Sequence, residues 1–514
     1  MRERLNAMTN NHVDVLIVGA GISGISAAYH LQSKCPGKSY AILERRAAIG
    51  GTWDIFRYPG IRSDSDMFTL GFNFKPWTDT QIIADGPKIR EYVRQTACEN
   101  GIDRHIRFGR KVIRASWSSE TALWTVETRV GDYEAGREPK QGDATETYTC
   151  NFLMMCSGYY NYDKGYVPDF KDVAKYKGRF VLPQFWPKDL DYVGKKVVVV
   201  GSGATAITIV PAMTDKAAHV TMLQRSPTYV LSVPQRDLLS QAMRRVLPEM
   251  LVYRIGRTRN IALTAGMFKL SRSRPLAVRR MLLAQVRAQV GNNVDMKNFT
   301  PSYKPWDQRL CAVPNGDMFK ALKVGKASVV TDHIERFTAQ GIRLQSGQDL
   351  QADIVVCATG LELQLFGGAE FIVDGELFQA ARALNYKGMM FSDLPNLSNT
   401  MGYTNASWTL KADLIAEYVC RLLKHMDKTG TKICVPRVND TSVKRMPYLD
   451  MTSGYFQRAA DRLPRQGDKV PWRLFQNYAL DMNMIRRGRI DDGAMQFGRP
   501  KVSAADTRRA AIAS

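Results

Sequence analysis

Two short glycine clusters carry the first chemistry that the sequence offers. Gly19-Ala20-Gly21-Ile22-Ser23-Gly24 follows the β-branched run Val13 to Val18 and precedes the apolar stretch Ile25 to Gln32. A G-x-G-x-x-G turn between a strand and a helix is built to hold a dinucleotide. The first glycine allows the tight turn, the second admits a pyrophosphate, and the third lets the helix pack on the strand. The helix N-terminus then offers unpaired N–H groups to the phosphates. Glu44 closes the next strand, Tyr40 to Leu43, where a carboxylate accepts hydrogen bonds from a ribose diol.

The pattern recurs at Gly201-Ser202-Gly203-Ala204-Thr205-Ala206, between the runs Val197 to Val200 and Ile207 to Ala212. Ala206 replaces the third glycine, a change the fingerprint tolerates. After the strand Val220 to Leu223 comes Gln224-Arg225-Ser226, with Arg225 where the first copy has Glu44. A guanidinium there suits a 2′-phosphate. The first copy is therefore expected to hold a ribose-diol dinucleotide and the second NADPH. FAD followed by NADPH defines a flavin oxidoreductase, and the spacing leaves open whether its electrons go to oxygen, a quinone or a protein.

Other chemistries are excluded by what the chain lacks. Among its eight cysteines no two are spaced C-x-x-C, which argues against a zinc ribbon, a thioredoxin-like dithiol and the flavin disulfide reductases. The six histidines never pair at i, i+4, so no metal site is expected. The segment Val15 to Ser33 has no charge, but Gly19, Gly21, Gly24, His30 and Gln32 interrupt it. It reads as a strand, turn and helix of a cytoplasmic protein rather than a signal or spanning helix.

After Glu44 comes Gly50-Gly51-Thr52-Trp53-Asp54-Ile55-Phe56-Arg57-Tyr58-Pro59-Gly60-Ile61-Arg62-Ser63-Asp64. Here the chain resembles the Baeyer–Villiger monooxygenases, NADPH-dependent class B flavin monooxygenases. Their motif runs G-G-x-W, four free positions, Y-P-G, three free positions, D, and every fixed position is met. Their second fingerprint, F-x-G-x-x-x-H-x-x-x-W, is met at Gly178 and Trp186, with Tyr176 for phenylalanine and Leu182 for histidine. The segment Pro305 to Gly316 matches the one carrying the family's active-site arginine, here Arg309. Gln308 stands where many relatives carry a lysine for the 2′-phosphate, which leaves more of that work to Arg225 and Ser226. Ala358-Thr359-Gly360 and Asn405 to Thr409 resemble elements that close the second nucleotide domain and return to the flavin. The resemblance spans about residues 12 to 495. The wording at 224–227, 305–316 and 403–411 is most similar to the ethionamide-activating subgroup.

The resemblance implies an α/β chain of two Rossmann-like dinucleotide-binding domains, the NADP domain inserted in the FAD domain. The FAD domain would take 8–160 and 361–495, and the NADP domain 161–360 with a helical insertion at about 240–300. Residues 496–514 would be a tail. FAD would meet Gly19, Gly21, Gly24, Glu44, Gly51, Thr52, Trp53, Asp54 and Asp64. NADPH would meet Gly201, Gly203, Ala204, Thr205, Ala206, Arg225, Ser226 and Gln308. Arg309 would face the negative charge on flavin-activated oxygen, with Asp64 holding it. One atom of O2 would enter a ketone to give an ester or lactone, and sulfides or thioamides would be oxidised. Leu182 bears on domain coupling and NADPH use more than on fold. Two rival readings are a heteroatom monooxygenase with little ketone activity and a catalytically degraded flavin-binding protein at a membrane.

The net charge of +23 attracts polyanions. It concentrates at Arg244, Arg245, Arg254, Arg257, Arg259, Lys269, Arg272, Arg274, Arg279, Arg280 and Arg287, interleaved with apolar residues. A basic amphipathic stretch fits an anionic membrane surface, which would make the protein peripheral on its inner face. The same pattern also fits a solvated helical face at a substrate entrance. No nucleic-acid recognition module accompanies the charge, so nucleic acid is not an expected partner.

Overall fold

The structure is a computed structural model that describes residues 11–500 apart from 135, 141, 292, 293, 309 and 450–452. β1 (His12–Val18), β2 (Tyr40–Glu44) and β3 (Thr145–Met155) form the parallel heart of a nine-stranded sheet. Val15 and Ile17 face one apolar layer, and Leu16 and Val18 face the other with Trp117, Trp124 and Phe371. A strand buried on both faces is apolar at every position, so the run shows no alternation. α1 (Ile22–Lys34) follows the first glycine turn. The sheet continues through antiparallel Leu123–Val130 and Arg110–Ser118. It is completed from the other half of the chain. Glu370–Val373 adds to Arg110–Ser118 and Leu397–Asn399 adds to β3, both parallel.

The second sheet lies between those two contributions in sequence. β4 (Lys196–Val200) leads into α2 (Ala204–Met213) and β5 (His219–Gln224). Five parallel strands run in the order Ala327–Thr331, β5, β4, Ile354–Cys357, Arg179–Val181. The two folds repeat the same bonds. Gly19 N–H donates to Leu43 O and Gly201 N–H to Leu223 O, each at 2.8 Å. Cys156 N–H donates to Val18 O and Ala358 N–H to Val200 O, again at 2.8 Å. Two Rossmann-like folds, one nested in the other, are therefore present.

Two details bear on the expected division. Met495–Gly498 pairs antiparallel with Ile433–Pro436, so a tail starting at 496 would cut a strand. Residues 8–10 and 501–514 lie outside the described residues. The stretch at 240–300 is helical, with α3 (Glu249–Ser273) and α4 (Pro275–Val290), but α3 is docked on the first fold. Tyr253 is fully buried and donates to Phe72 O at 2.8 Å. Arg257 is buried and donates to Phe68 O and Gly71 O at 2.8 Å, with Asp413 at 3.4 Å. Asp413 lies on α5 (Trp408–Thr429), which packs against α1.

Candidate active site

A cavity of about 290 Å³ opens where the two folds meet. Its floor is the first glycine turn. A Cβ on Gly19, whose φ is +108°, would lie 2.6 Å from Cys156 O. A Cβ on Gly24 would lie 1.8 Å from Gly19 O, so Gly24 sits beneath the turn rather than on the cavity wall. Gly51, with φ +55°, passes over the turn, and its Cβ would lie 3.0 Å from Gly21 Cα. No side chain caps the start of α1, which leaves its first N–H groups to a ligand.

Glu44 lines the cavity from the end of β2. Its oxygens accept from Ala20 N–H at 2.8 Å and Arg46 N–H at 2.9 Å. Burial pushes this carboxyl up, against the pull of those two donors. Arg46 is buried on the same wall, and its Nη1 has no hydrogen-bond partner. A fixed carboxylate, an unpartnered guanidinium N–H and an uncapped helix start fit the ribose and pyrophosphate of FAD. Thr52 and Trp53 also line the wall, and the Thr52 hydroxyl bonds Tyr162.

Asp54 does not line the cavity. Burial works against its ionisation, yet Arg46, Arg57 and Arg90 hold its carboxyl below the usual carboxylate range. Arg46 Nη2 approaches at 2.6 Å, Arg90 at 3.1 Å and Arg57 at 3.2 Å. Asp54 thus positions Arg46.

The Tyr-Pro-Gly motif joins the folds. Tyr58 bonds Thr205 at the start of α2, and Gly60, at φ +74°, lies against the same helix. A Cβ there would lie 2.6 Å from Ala212 Cβ. Asp64 follows on the cavity wall, which Ala204, Thr205 and Thr208 of α2 also line. Trp408 forms another part of the wall, with its indole donating to Ser23 Oγ at 2.7 Å.

The second glycine turn is more open. A Cβ on Gly203 would meet nothing within 4 Å, and no side chain caps α2. Gly201 makes the turn at φ +134°, with Ala206 buried behind it. Arg225 and Ser226 are exposed at the end of β5, where Ser202 Oγ donates to Ser226 O at 3.1 Å. An open turn beside a free-standing guanidinium fits a cofactor that binds and leaves. Gln308 bridges to Pro305 within its own turn. Arg309 lies outside the described residues. Leu182 follows the edge strand Arg179–Val181 and, like Phe185, packs beside Gly165, off the cavity wall.

Sequence spacing passed over Arg46, Lys111, Ser157 and Tyr160, all on the wall. Arg46 directly follows the Glu44-Arg45 step at the end of β2, the one positional signal among them.

The fold and this cavity define a class, the flavoprotein oxidoreductases with two nested dinucleotide folds. Structures of that kind align over nearly the whole chain. Oxidised steroid monooxygenase bound to NADP matches with TM-score 0.73 at 20% identity, covering 95% of this chain and 100% of that one. Cyclohexanone monooxygenase with ε-caprolactone matches with TM-score 0.70 at 18% identity, covering 95% and 99%. The NAD(P)-binding Rossmann-like domain family matches residues 17–81.

Sequence relatives are nearer. The FAD-containing monooxygenase EthA of Mycobacterium tuberculosis is 53% identical over 490 residues, 95% of this chain and 98% of that protein. The probable FAD-binding monooxygenase AlmA of Acinetobacter baylyi is 50% identical over 488 residues, 95% and 96%. The chain belongs to the FAD-containing monooxygenases. It is a monooxygenase, with FAD and NADPH as its cofactors.

Proposed function

We propose that this monooxygenase inserts oxygen into ketones, giving esters or lactones, and oxidises sulfides or thioamides at the same cavity. The observation that carries the reading is the shared cavity, lined by Glu44 and Asp64 from the first fold and by Ala204, Thr205 and Thr208 of α2 from the second. Bound FAD, once reduced by NADPH, supplies the oxygen chemistry. The chain's own residues bind and orient. The first glycine turn and Arg46 hold the pyrophosphate, Glu44 the ribose, and Tyr58 with Gly60 keeps α2 against the cavity. Arg309 stabilises negative charge on oxygen, positioned by Asp64. The buried apolar walls exclude water. The test is NADPH oxidation by FAD-loaded protein with a panel of ketones and thioethers, with ester, sulfoxide and released hydrogen peroxide measured together. Sulfoxide without ester from any ketone would replace this reading with the heteroatom one.

Arg225 and Ser226 supply the 2′-phosphate contact. One charge-assisted hydrogen bond at an exposed site is worth about 1.5 kcal/mol, so Arg225→Ala should raise the NADPH KM roughly tenfold. The NADH KM should not move. An unmutated protein that used both nicotinamides equally would remove Arg225 from this role.

The insertion helices face an anionic membrane surface. Leu251, Ile255, Leu263, Leu270, Leu276 and Met281 are exposed on α3 and α4. Arg254, Lys269, Arg280 and Arg287 are exposed among them, and no Asp or Glu occurs between residues 250 and 294. Part of the expected charge is spent inside the protein. Arg244 pairs with Glu249, Arg259 with Asp237, and Arg257 is buried on the first fold. Among the described residues no helix is long and apolar enough to cross a membrane, so the contact is interfacial. Each basic residue at the surface contributes about 1 kcal/mol. Lys269→Glu with Arg280→Glu should therefore weaken co-sedimentation with phosphatidylglycerol vesicles by roughly an order of magnitude or more. Salt should weaken it as well. Sedimentation insensitive to anionic lipid would leave these helices as an entrance face.

A further inference from the structure

Two helices that begin at the flavin cleft meet again, at their far side, in a pair of thiols. α1 starts at the first glycine turn, and α5 starts at Trp408, whose indole bonds Ser23. Cys35 caps the C-terminal end of α1, its N–H donating to Leu31 O at 2.8 Å. Its Sγ lies 3.6 Å from the carbonyl oxygen of Cys420 on α5, and the two thiols contact each other directly. Both side chains are buried, at 7% and 2% exposure. Lys34, the last residue of α1, pairs with Glu417 at 3.6 Å, and Lys38, just beyond the helix, pairs with Asp427 at 2.6 Å. The pair is invisible to cysteine spacing, since its members are far apart in the chain.

The two sulfurs are not equivalent. Contact with the Cys420 thiol, helped by the charges of Lys424 and Lys38, holds the Cys35 thiol below its usual range against the effect of burial. The same contact and burial push the Cys420 thiol up. A thiol that ionises more readily beside one that stays protonated is the arrangement of an attacking and a resolving cysteine.

We propose that Cys35 and Cys420 form a reversible dithiol that hydrogen peroxide closes into a disulfide between α1 and α5. The Cys35 thiolate attacks one peroxide oxygen, the O–O bond breaks, and the departing hydroxide takes a proton to become water. Cys35 is then a sulfenic acid. The Cys420 sulfur attacks the Cys35 sulfur and gives up its proton to the departing hydroxyl, which leaves as a second water. Two thiols lose two electrons, and one hydrogen peroxide becomes two waters. The bond would staple together the two helices that start at the flavin cleft, and it spares Cys35 the irreversible higher oxidation states.

The experiment uses the full FAD-loaded chain, reduced with dithiothreitol, desalted, and exposed to hydrogen peroxide at a few equivalents. Alkylation under denaturing conditions and peptide mapping follow. The expected result is one linked pair of peptides carrying Cys35 and Cys420, which dithiothreitol separates. In Cys420→Ala, Cys35 should be trapped by a sulfenic-acid reagent, and in Cys35→Ser, Cys420 should stay fully alkylated. Parent protein in which both cysteines remain fully alkylated would overturn the proposal. So would Cys35 passing to sulfinic acid with no linked peptide. The parent map decides the matter even where a variant fails to fold.

Discussion

Gly24→Ala should give a protein that retains little flavin on purification, with affinity for added FAD lowered roughly ten- to hundredfold. The added Cβ would lie 1.8 Å from Gly19 O. Neither atom can retreat cheaply, because Gly19 N–H is bonded to Leu43 O and the Gly19 carbonyl belongs to the turn itself. Overpacking of this kind typically costs about 1–3 kcal/mol, and here the relief must come from the loop that cradles the pyrophosphate. The companion variant Gly203→Ala meets nothing within 4 Å. Its melting temperature should be unchanged and its flavin retained, with only the NADPH KM raised, since a methyl group would stand where a phosphate approaches. The measurements are flavin content, FAD titration and thermal unfolding of both variants. A Gly24→Ala protein as yellow and as stable as the parent would show that the first turn does not bind as proposed.

That contrast also shows what the sequence could and could not disclose. Both glycine turns were legible because few residue types permit a positive φ and a close backbone approach at once, and the structure repeats their bonds. The tolerance of Ala206 was legible too. The different crowding at Gly21 and Gly203 was not, since it depends on Gly51 arriving from a separate segment. The Tyr58-Pro59-Gly60 motif could be matched but not explained until α2 was seen to pack on it. Asp54 stood inside a motif and took its role by position, whereas the neighbouring Arg46 and Arg57 and the more distant Arg90 claim its carboxylate. The basic stretch was legible as charge, but Arg257 is buried against carbonyls of the first fold. Local pattern fixes turns and strands, and long-range packing decides which polar side chains remain free for ligands.

Arg309→Ala should lower the rate of ester formation by roughly 10²–10³, the loss of about 2.7–4 kcal/mol that one preorganised donor to developing negative charge supplies. The cavity wall calls for a dedicated arginine. Its described cations are Arg45, Arg46, Arg62, Arg110 and Lys111, and each is paired with a carboxylate. Arg45 and Lys111 share Asp163, Arg46 holds Asp54, Arg62 holds Asp317 and Arg110 holds Glu146. None of these brings a full uncompensated charge to a reacting oxygen. If Arg309 acts as proposed, on charge that exists only during turnover, its removal should spare flavin content, the resting flavin spectrum and NADPH binding. NADPH consumption should continue and end in released hydrogen peroxide instead of ester. On the proposed mechanism Asp64, on the wall, acts through Arg309 as a positioning residue, and Asp64→Ala should then be the milder variant. In the double variant the losses should fall short of additive, as expected for two residues in one network. An Arg62→Ala control should leave the ratio of ester to peroxide unchanged, because its guanidinium is already committed to Asp317. Ester formed at the parental rate by Arg309→Ala would remove that residue from the mechanism. Ester lost with sulfoxide retained would show that the arginine serves carbonyl attack alone, since sulfur oxidation does not need the oxygen to stay anionic.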